Sequence, residues 1–214
     1  MPPESIDFFA RHLQDLQQAP LPGLDVHTRV LFPYRQDLIN RYPDIRYRPA
    51  AVLVLVYPGA KEWESVLIKR YVYDGVHSGQ MAFPGGKTDP GDRDAVDTAL
   101  REAYEEVNIR PEEVHVIRSL TPIKIPVSRF EVTPVWGYSH RRPDFRPQPG
   151  EVAQIVTIPW RYLMEAPWQM EERLYEDRVY PVYYLPWKGE KIWGATAMVI
   201  AELREIWEKV KRDR

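Results

Sequence analysis

The chain has 214 residues and a formal net charge of −2, enough for one substantial core and without the basic excess that attracts nucleic acid or a membrane surface. It contains no cysteine, which excludes disulfides, thiolate metal sites and a cysteine nucleophile together. No apolar run approaches the ~20 residues of a membrane span, and Met1-Pro2-Pro3-Glu4 opens no signal sequence, so a cytoplasmic protein is expected.

In chain order, Ser5 can cap a first helix with Ile6, Phe9, Leu13 and Leu16 on one face, ended by Pro20-Leu21-Pro22-Gly23. Ala50 to Tyr57 is a continuous apolar run and predicts a buried strand. Pro58-Gly59 turns the chain into a second strand at Val66–Arg70. His77 to Gly86 reads as loop with a short extended piece at Met81–Phe83, and a helix follows over Asp94–Val107. Strands are expected at Val114–Leu120, Val132–Tyr138 and Val152–Ile158, with proline-broken loops at Thr121–Phe130 and Arg141–Gly150, the second a mobile rim. A helical turn at Trp160–Glu165 precedes a hairpin, Val179–Leu185 and Lys191–Trp193 around Lys188-Gly189. Ala195–Val210 closes the chain as a helix with Val199, Leu203, Ile206 and Val210 inside. Neither a repeat nor a long linker divides it, so residues 1–214 read as one domain, with 1–48 a helix and leader packed on it. Strands among three long helices predict an α/β fold, an α/β/α sandwich around a mixed sheet.

The Asp94–Val107 helix carries the most specific pattern. Glu102, Glu105 and Glu106 stand at i, i+3 and i+4 and share a face, while Val96, Ala99, Leu100, Ala103 and Val107 form an apolar stripe. Like charges so placed repel by ~0.2–0.5 kcal/mol per pair on an isolated helix. A divalent cation reverses that sign, and oxygen ligands suit Mg²⁺ or Mn²⁺. A solvated acidic face would show the same three residues. Arg101, four residues before Glu105, is placed to orient its carboxylate. Ahead of the helix, Phe83-Pro84-Gly85-Gly86 lets backbone approach a ligand closely, and Asn108 sits where a left-handed helix end is expected.

Together the loop and helix resemble the Nudix box: Gly, five residues, Glu, seven residues, then Arg-Glu-aliphatic-any-Glu-Glu-any-Gly-aliphatic. This chain runs Gly86, five residues, Asp92, eight residues, then Arg101 to Ile109, with Asp92 for Glu, one inserted residue, and Asn108 for Gly. The lengthened box and His77-Ser78-Gly79-Gln80-Met81-Ala82-Phe83-Pro84-Gly85-Gly86 are similar to the coenzyme A pyrophosphatase branch. Tyr71 and Asp74-Gly75 depart from that branch, which has a small residue and Leu-Arg there. The same box occurs in isopentenyl diphosphate isomerase, but the catalytic cysteine of that enzyme has no counterpart here.

The resemblance implies a Nudix-type α/β/α sandwich and metal-dependent cleavage of a diphosphate linkage in coenzyme A or a related nucleoside diphosphate derivative. ADP-ribose is an alternative substrate, and a regulator that binds nucleotide without cleaving it is a further one. Glu102, Glu106, a shared Glu105 and the Gly86 carbonyl are the implied metal ligands, for Mg²⁺ or Mn²⁺. Arg101 would orient them, and Glu105 or Glu151 would act as base. Arg70, His77, Gln80 and Phe83 are candidate substrate contacts. Lys69, Arg70, Arg129 and Arg141 could hold further phosphates, and Trp136, Tyr138, Trp160 and Trp168 could stack on adenine, though such aromatics are ordinarily core. The expected partner is a small molecule, not nucleic acid or membrane, with a homodimer in keeping with the family.

Overall fold

The computed structural model of the protein describes residues 9, 11–31, 33–71 and 79–212. At its centre is an eight-stranded mixed sheet. The apolar run forms β1 (Arg48–Pro58), and β7 (Phe130–Tyr138) lies beside it in parallel over nine residue pairs. Along its other edge, β1 pairs antiparallel first with β4 (Gly85–Lys87), then with β2 (Trp63–Arg70). β2 also pairs with β3 (Met81–Ala82) and β8 (Val152–Pro159), and β7 pairs with β6 (Ile123–Ile125) and β5 (His115–Ser119).

Alternation along β1 divides the core in two. Ala51, Leu53, Leu55 and Tyr57 pack with the stripe Ala99, Ala103 and Val107 of the acidic helix. Val54 and Val56 face the other way, into a larger cluster with Trp136, Leu203 and Ile206. The first six-residue helix, α1 (Leu13–Gln18), is followed by α2 (Leu24–Val30) and α3 (Pro33–Arg41). The acidic helix is α4 (Ala95–Val107), and α5 (Trp160–Glu165) matches its expected bounds. The closing helix, α6 (Gly194–Arg212), follows a three-stranded sheet of β9 (Gln169–Tyr175), β10 (Arg178–Trp187) and β11 (Glu190–Trp193).

The α/β sandwich expectation holds, with one correction. Two long helices flank the sheet among the described residues, and the expected first helix, from Ser5, lies partly outside them; on the α6 side the layer includes the short α1 and α2. Thr121–Phe130 is not all loop, because Ile123–Ile125 pairs with Phe130–Val132. Phe9 and Leu16 are buried as expected, whereas Ser5 and Ile6 lie outside the described residues.

Candidate active site

α4 is held at both ends by its own sequence. The Asp94 carboxylate caps the first turn, accepting from the Val96 and Asp97 N–H groups at 2.8 and 2.9 Å. Asn108 ends the helix in the left-handed region at φ 60°, and the following Ile109 N–H returns to the Ala103 carbonyl at 3.2 Å. The asparagine thus supplies the conformation that glycine gives in the family pattern.

The acidic face opens on a cleft of about 880 Å³. Gly86, Arg101, Glu102, Glu105, Glu106 and Glu151 line it at one end, with Arg70, Gln80 and Phe83 on the adjoining wall. His77 lies outside the described residues. Phe83 contributes to the wall while remaining 2% exposed, so it is core first and contact second.

The three glutamates differ in environment. Glu106 is 3% exposed, and its Oε2 accepts from the Gly85 N–H at 2.8 Å. Burial pushes its carboxyl up to about 7, against that hydrogen bond and the field of Arg70, with Glu102 and Glu151 adding repulsion. Burial also raises Glu102, only partly offset by Arg101. Glu105 is more than half exposed.

Arg101 reaches Glu105, as the spacing of the two residues suggests, and binds other groups more closely. Its Nε and one Nη donate to the two Asp92 oxygens at 2.9 Å each, a bidentate pair. The same guanidinium reaches the Lys87 carbonyl at 3.0 Å, Glu102 at 3.0 Å and Glu105 at 3.3 Å. Asp92, which also accepts from Thr98 Oγ1 and the Asp89 N–H, is held far below the usual carboxylate range, first of all by Arg101. The shortened acid in the box therefore anchors Arg101, and Arg101 fastens the glycine loop to the helix.

Gly85 and Gly86 are required for different reasons. A Cβ on Gly85 would meet the Ala51 carbonyl at 2.2 Å, at a φ of 152° that side chains avoid. A Cβ on Gly86 would meet Glu102 Oε2 at 2.4 Å. The first glycine seats β4 in the sheet; the second leaves room for a carboxylate.

The Arg141–Gly150 segment is tethered to the end of α4. Asn108 Nδ2 donates to the Asp144 carbonyl at 2.7 Å, Arg146 N–H to Val107 at 3.2 Å, and Gln148 N–H to Glu106 at 2.8 Å. Phe145 packs edge-on to Tyr57 at 5.2 Å between ring centroids. These contacts deliver Gly150 and Glu151 to the cleft.

Several sequence candidates are elsewhere. Trp136, Tyr138 and Trp160 are core, clustered around Phe9 and Trp207. Trp168 lies under the Arg204 guanidinium at 4.6 Å. Because the large apolar rings fill the α6 face of the sheet, none reaches the cleft. Lys69 is bound to Glu190 at 2.6 Å, while Arg129 and Arg141 are exposed and outside the lining; of the four basic candidates, Arg70 alone faces the cleft. The cleft's aromatic wall comes instead from Tyr34, Phe130, Tyr175 and Trp193. Short α3 and the charged β9 gave no periodic signal for it.

Residues 47–191 match the NUDIX domain family. The chain belongs to the Nudix family. It is 39% identical to the uncharacterized Nudix hydrolase NudL of Pectobacterium atrosepticum, covering 78% of this chain and 91% of that one. Against the protein of the same name from Yersinia pestis it is 35% identical, over 78% and 83%. Among solved structures, the Mycobacterium smegmatis Nudix hydrolase RenU is similar in fold, with a TM-score of 0.51 and 18% identity over 77% of this chain and 87% of that one. The chain is accordingly an enzyme of the Nudix pyrophosphatase kind, a hydrolase of phosphoric anhydride bonds. No helix among the described residues is long and apolar enough to cross a membrane.

Proposed function

We propose that the protein hydrolyses the diphosphate linkage of coenzyme A or a related nucleoside diphosphate derivative, with Mg²⁺ or Mn²⁺ held by Glu102, Glu105, Glu106 and the Gly86 carbonyl. The observation that supports this most is Glu106: a buried carboxylate that accepts from the Gly85 N–H, beside Glu102 and near Glu151. Such a group is costly unless a cation joins it. The donor set is all oxygen, which fits a hard divalent ion. Among the described residues no three acidic or histidine side chains converge as they stand; Arg101 holds Glu102 and Glu105 toward itself, so binding requires Glu105 to turn inward.

When bound, the ion neutralises charge on the diphosphate and acidifies water. The chain's own residues do the rest. Arg101, fixed by Asp92, keeps the Glu102 carboxylate beside Gly86. Arg70, which faces Glu106, supplies positive charge for phosphate oxygens. Glu151 at the cleft edge is available to take a proton from attacking water, with Glu105 the other base.

The test is cleavage of coenzyme A, dephospho-coenzyme A and ADP-ribose with each metal, products identified by mass. Because Asp74-Gly75 replaces the branch's apolar–basic Leu-Arg pair, the three should fall within about tenfold in kcat/KM. No cleavage of coenzyme A with turnover of ADP-ribose would move the substrate to the nucleotide sugars. No cleavage of any diphosphate would overturn the reading.

A further inference from the structure

The cleft extends well beyond the carboxylates. Its far end is built from α3, β6 and the start of β7: Tyr34, Leu38, Ile125 and Phe130, with Tyr175 of β9 stacked on Tyr34 at 5.2 Å between centroids. Arg35 lines this end. Its Nε donates to the Lys124 carbonyl, and an Nη reaches Met198 Sδ at 3.0 Å. No carboxylate among the described residues lies within ion-pair distance of it. Nearby acids are engaged otherwise: Asp37 accepts from Tyr180 at 2.7 Å, and Glu176 from Tyr34 and Arg41 at 2.9 and 3.0 Å. Burial lowers the Arg35 guanidinium to about 10. A neutral carbonyl and a thioether compensate a desolvated cation poorly, so an oxyanion ligand would gain from both charge and geometry.

Its distance from the reacting end follows from strand register. Gly86 is on β4 opposite Ala51 and Thr133, and Lys124 is on β6 opposite Glu131. Three strand steps of ~4.8 Å and a two-residue offset separate them by about 15 Å. That equals roughly four residues of extended peptide, so the intervening substrate arm is long and lies along apolar and aromatic wall.

We infer that Arg35, with the Tyr34–Tyr175 wall, forms a second recognition site that binds an oxyanion, phosphate or carboxylate, carried by the substrate about 15 Å from its diphosphate. The inference rests on the diphosphate reading above. It assigns to Arg35 the selectivity that Lys69, Arg129 and Arg141 are not placed to provide.

Two substrate pairs test it and separate an anion at the tip of the arm from one beside the diphosphate. Succinyl-coenzyme A and butyryl-coenzyme A differ by a carboxylate at the tip of the arm; coenzyme A and dephospho-coenzyme A differ by a phosphate on the ribose that carries the diphosphate, too close to it to reach Arg35. Kd by calorimetry and kcat/KM are measured for wild type, Arg35→Gln and Arg35→Lys. In the acyl pair the anionic member should bind wild type about tenfold tighter or more. Arg35→Gln should erase that preference, and Arg35→Lys should restore part of it. Absence of preference in the acyl pair, its survival in Arg35→Gln, or an Arg35-dependent preference in the ribose pair alone overturns the proposal. An equal loss for both members of a pair, with a lower melting temperature, would make Arg35 a structural clamp on β6 and also overturn it. Binding preference lost in Arg35→Gln without cleavage of any compound would sustain this site while the hydrolase reading failed.

Discussion

Two buried glutamates on opposite faces of the sheet behave in opposite ways. Glu202 on α6 is fully buried, and His27 Nε2 lies 3.0 Å from one oxygen while Thr121 Oγ1 donates to the other at 2.6 Å. The Thr121 N–H adds a longer bond at 3.3 Å. Burial alone would push Glu202 up; its hydrogen bonds outweigh that and leave it below the usual range. Glu106 on α4 accepts from the Gly85 N–H and rises to about 7. Burial is common to both. Satisfaction of the lone pairs divides them: the first is held by a full set of partners, whereas the second fits the ligand role proposed for it.

The largest expected effect breaks the Glu106 side. Glu106→Gln or Glu102→Gln should lower kcat by about a thousandfold or more, since each removes charge from the proposed metal site. Metal-free stability of Glu106→Gln should equal or exceed wild type, because a neutral amide keeps an acceptor for Gly85 and sheds a buried charge. Turnover near wild type in both variants would remove these residues from the site.

Glu202→Gln should do the reverse. Replacing a buried, fully bonded carboxylate should cost about 3 kcal/mol, read as a melting temperature lower by roughly 6–12 °C, with kcat per folded molecule retained. The pH dependence has a definite sign. Glu202 is depressed in the fold, so its contribution is present above the unfolded carboxylate value of ~4.3 and is lost as pH falls through the lower folded value. Wild type and Glu202→Gln should therefore converge in stability on acidification. A constant gap across that window would contradict the ionised pairing.

Neighbouring glycines sharpen the comparison at smaller scale. Gly86→Ala displaces the Glu102 carboxylate and should cut kcat about tenfold to a hundredfold with little change in melting temperature. Gly85→Ala drives a methyl into β1 backbone and should lower stability first. Parallel losses of stability and activity in Gly86→Ala would reduce that glycine to a turn.

The part of this arrangement legible in sequence is the part written locally. The α4 stripe, its Asp94 and Asn108 ends and the buried run of β1 follow from periodicity and capping, and the acidic face from i, i+3, i+4 spacing. β6 was hidden because Pro122 and Pro126 bracket only three strand residues. β9 carries Glu171, Glu172 and Arg173 between exposed Met170 and Leu174, with no apolar alternation to mark it. The bond from Arg101 to Asp92 and the burial of Glu106 depend on how β4 seats against β1. The Arg35 end of the cleft is assembled from distant segments, 89 positions apart at the bond from Arg35 to Lys124, beyond any local pattern.

The smallest predicted effect isolates Asn108. Glycine at this position would keep the left-handed helix end and with it the Ile109 return bond, so the helix itself should not suffer. What Asn108→Gly removes is the Nδ2 bond to Asp144, leaving Arg146 and Gln148 to hold the loop. Net loss of such a bond is about 1 kcal/mol at an exposed site. The loop ends at Glu151, so the consequence should appear as a few-fold fall in kcat and faster amide exchange at Arg146 and Gln148, with melting temperature almost unchanged. Asn108→Ala loses the same bond and adds strain at φ 60°, and should cost more stability for the same change in kcat. Equal kcat in wild type and Asn108→Gly would show that the two remaining tethers suffice, and that the asparagine here serves only to end the helix.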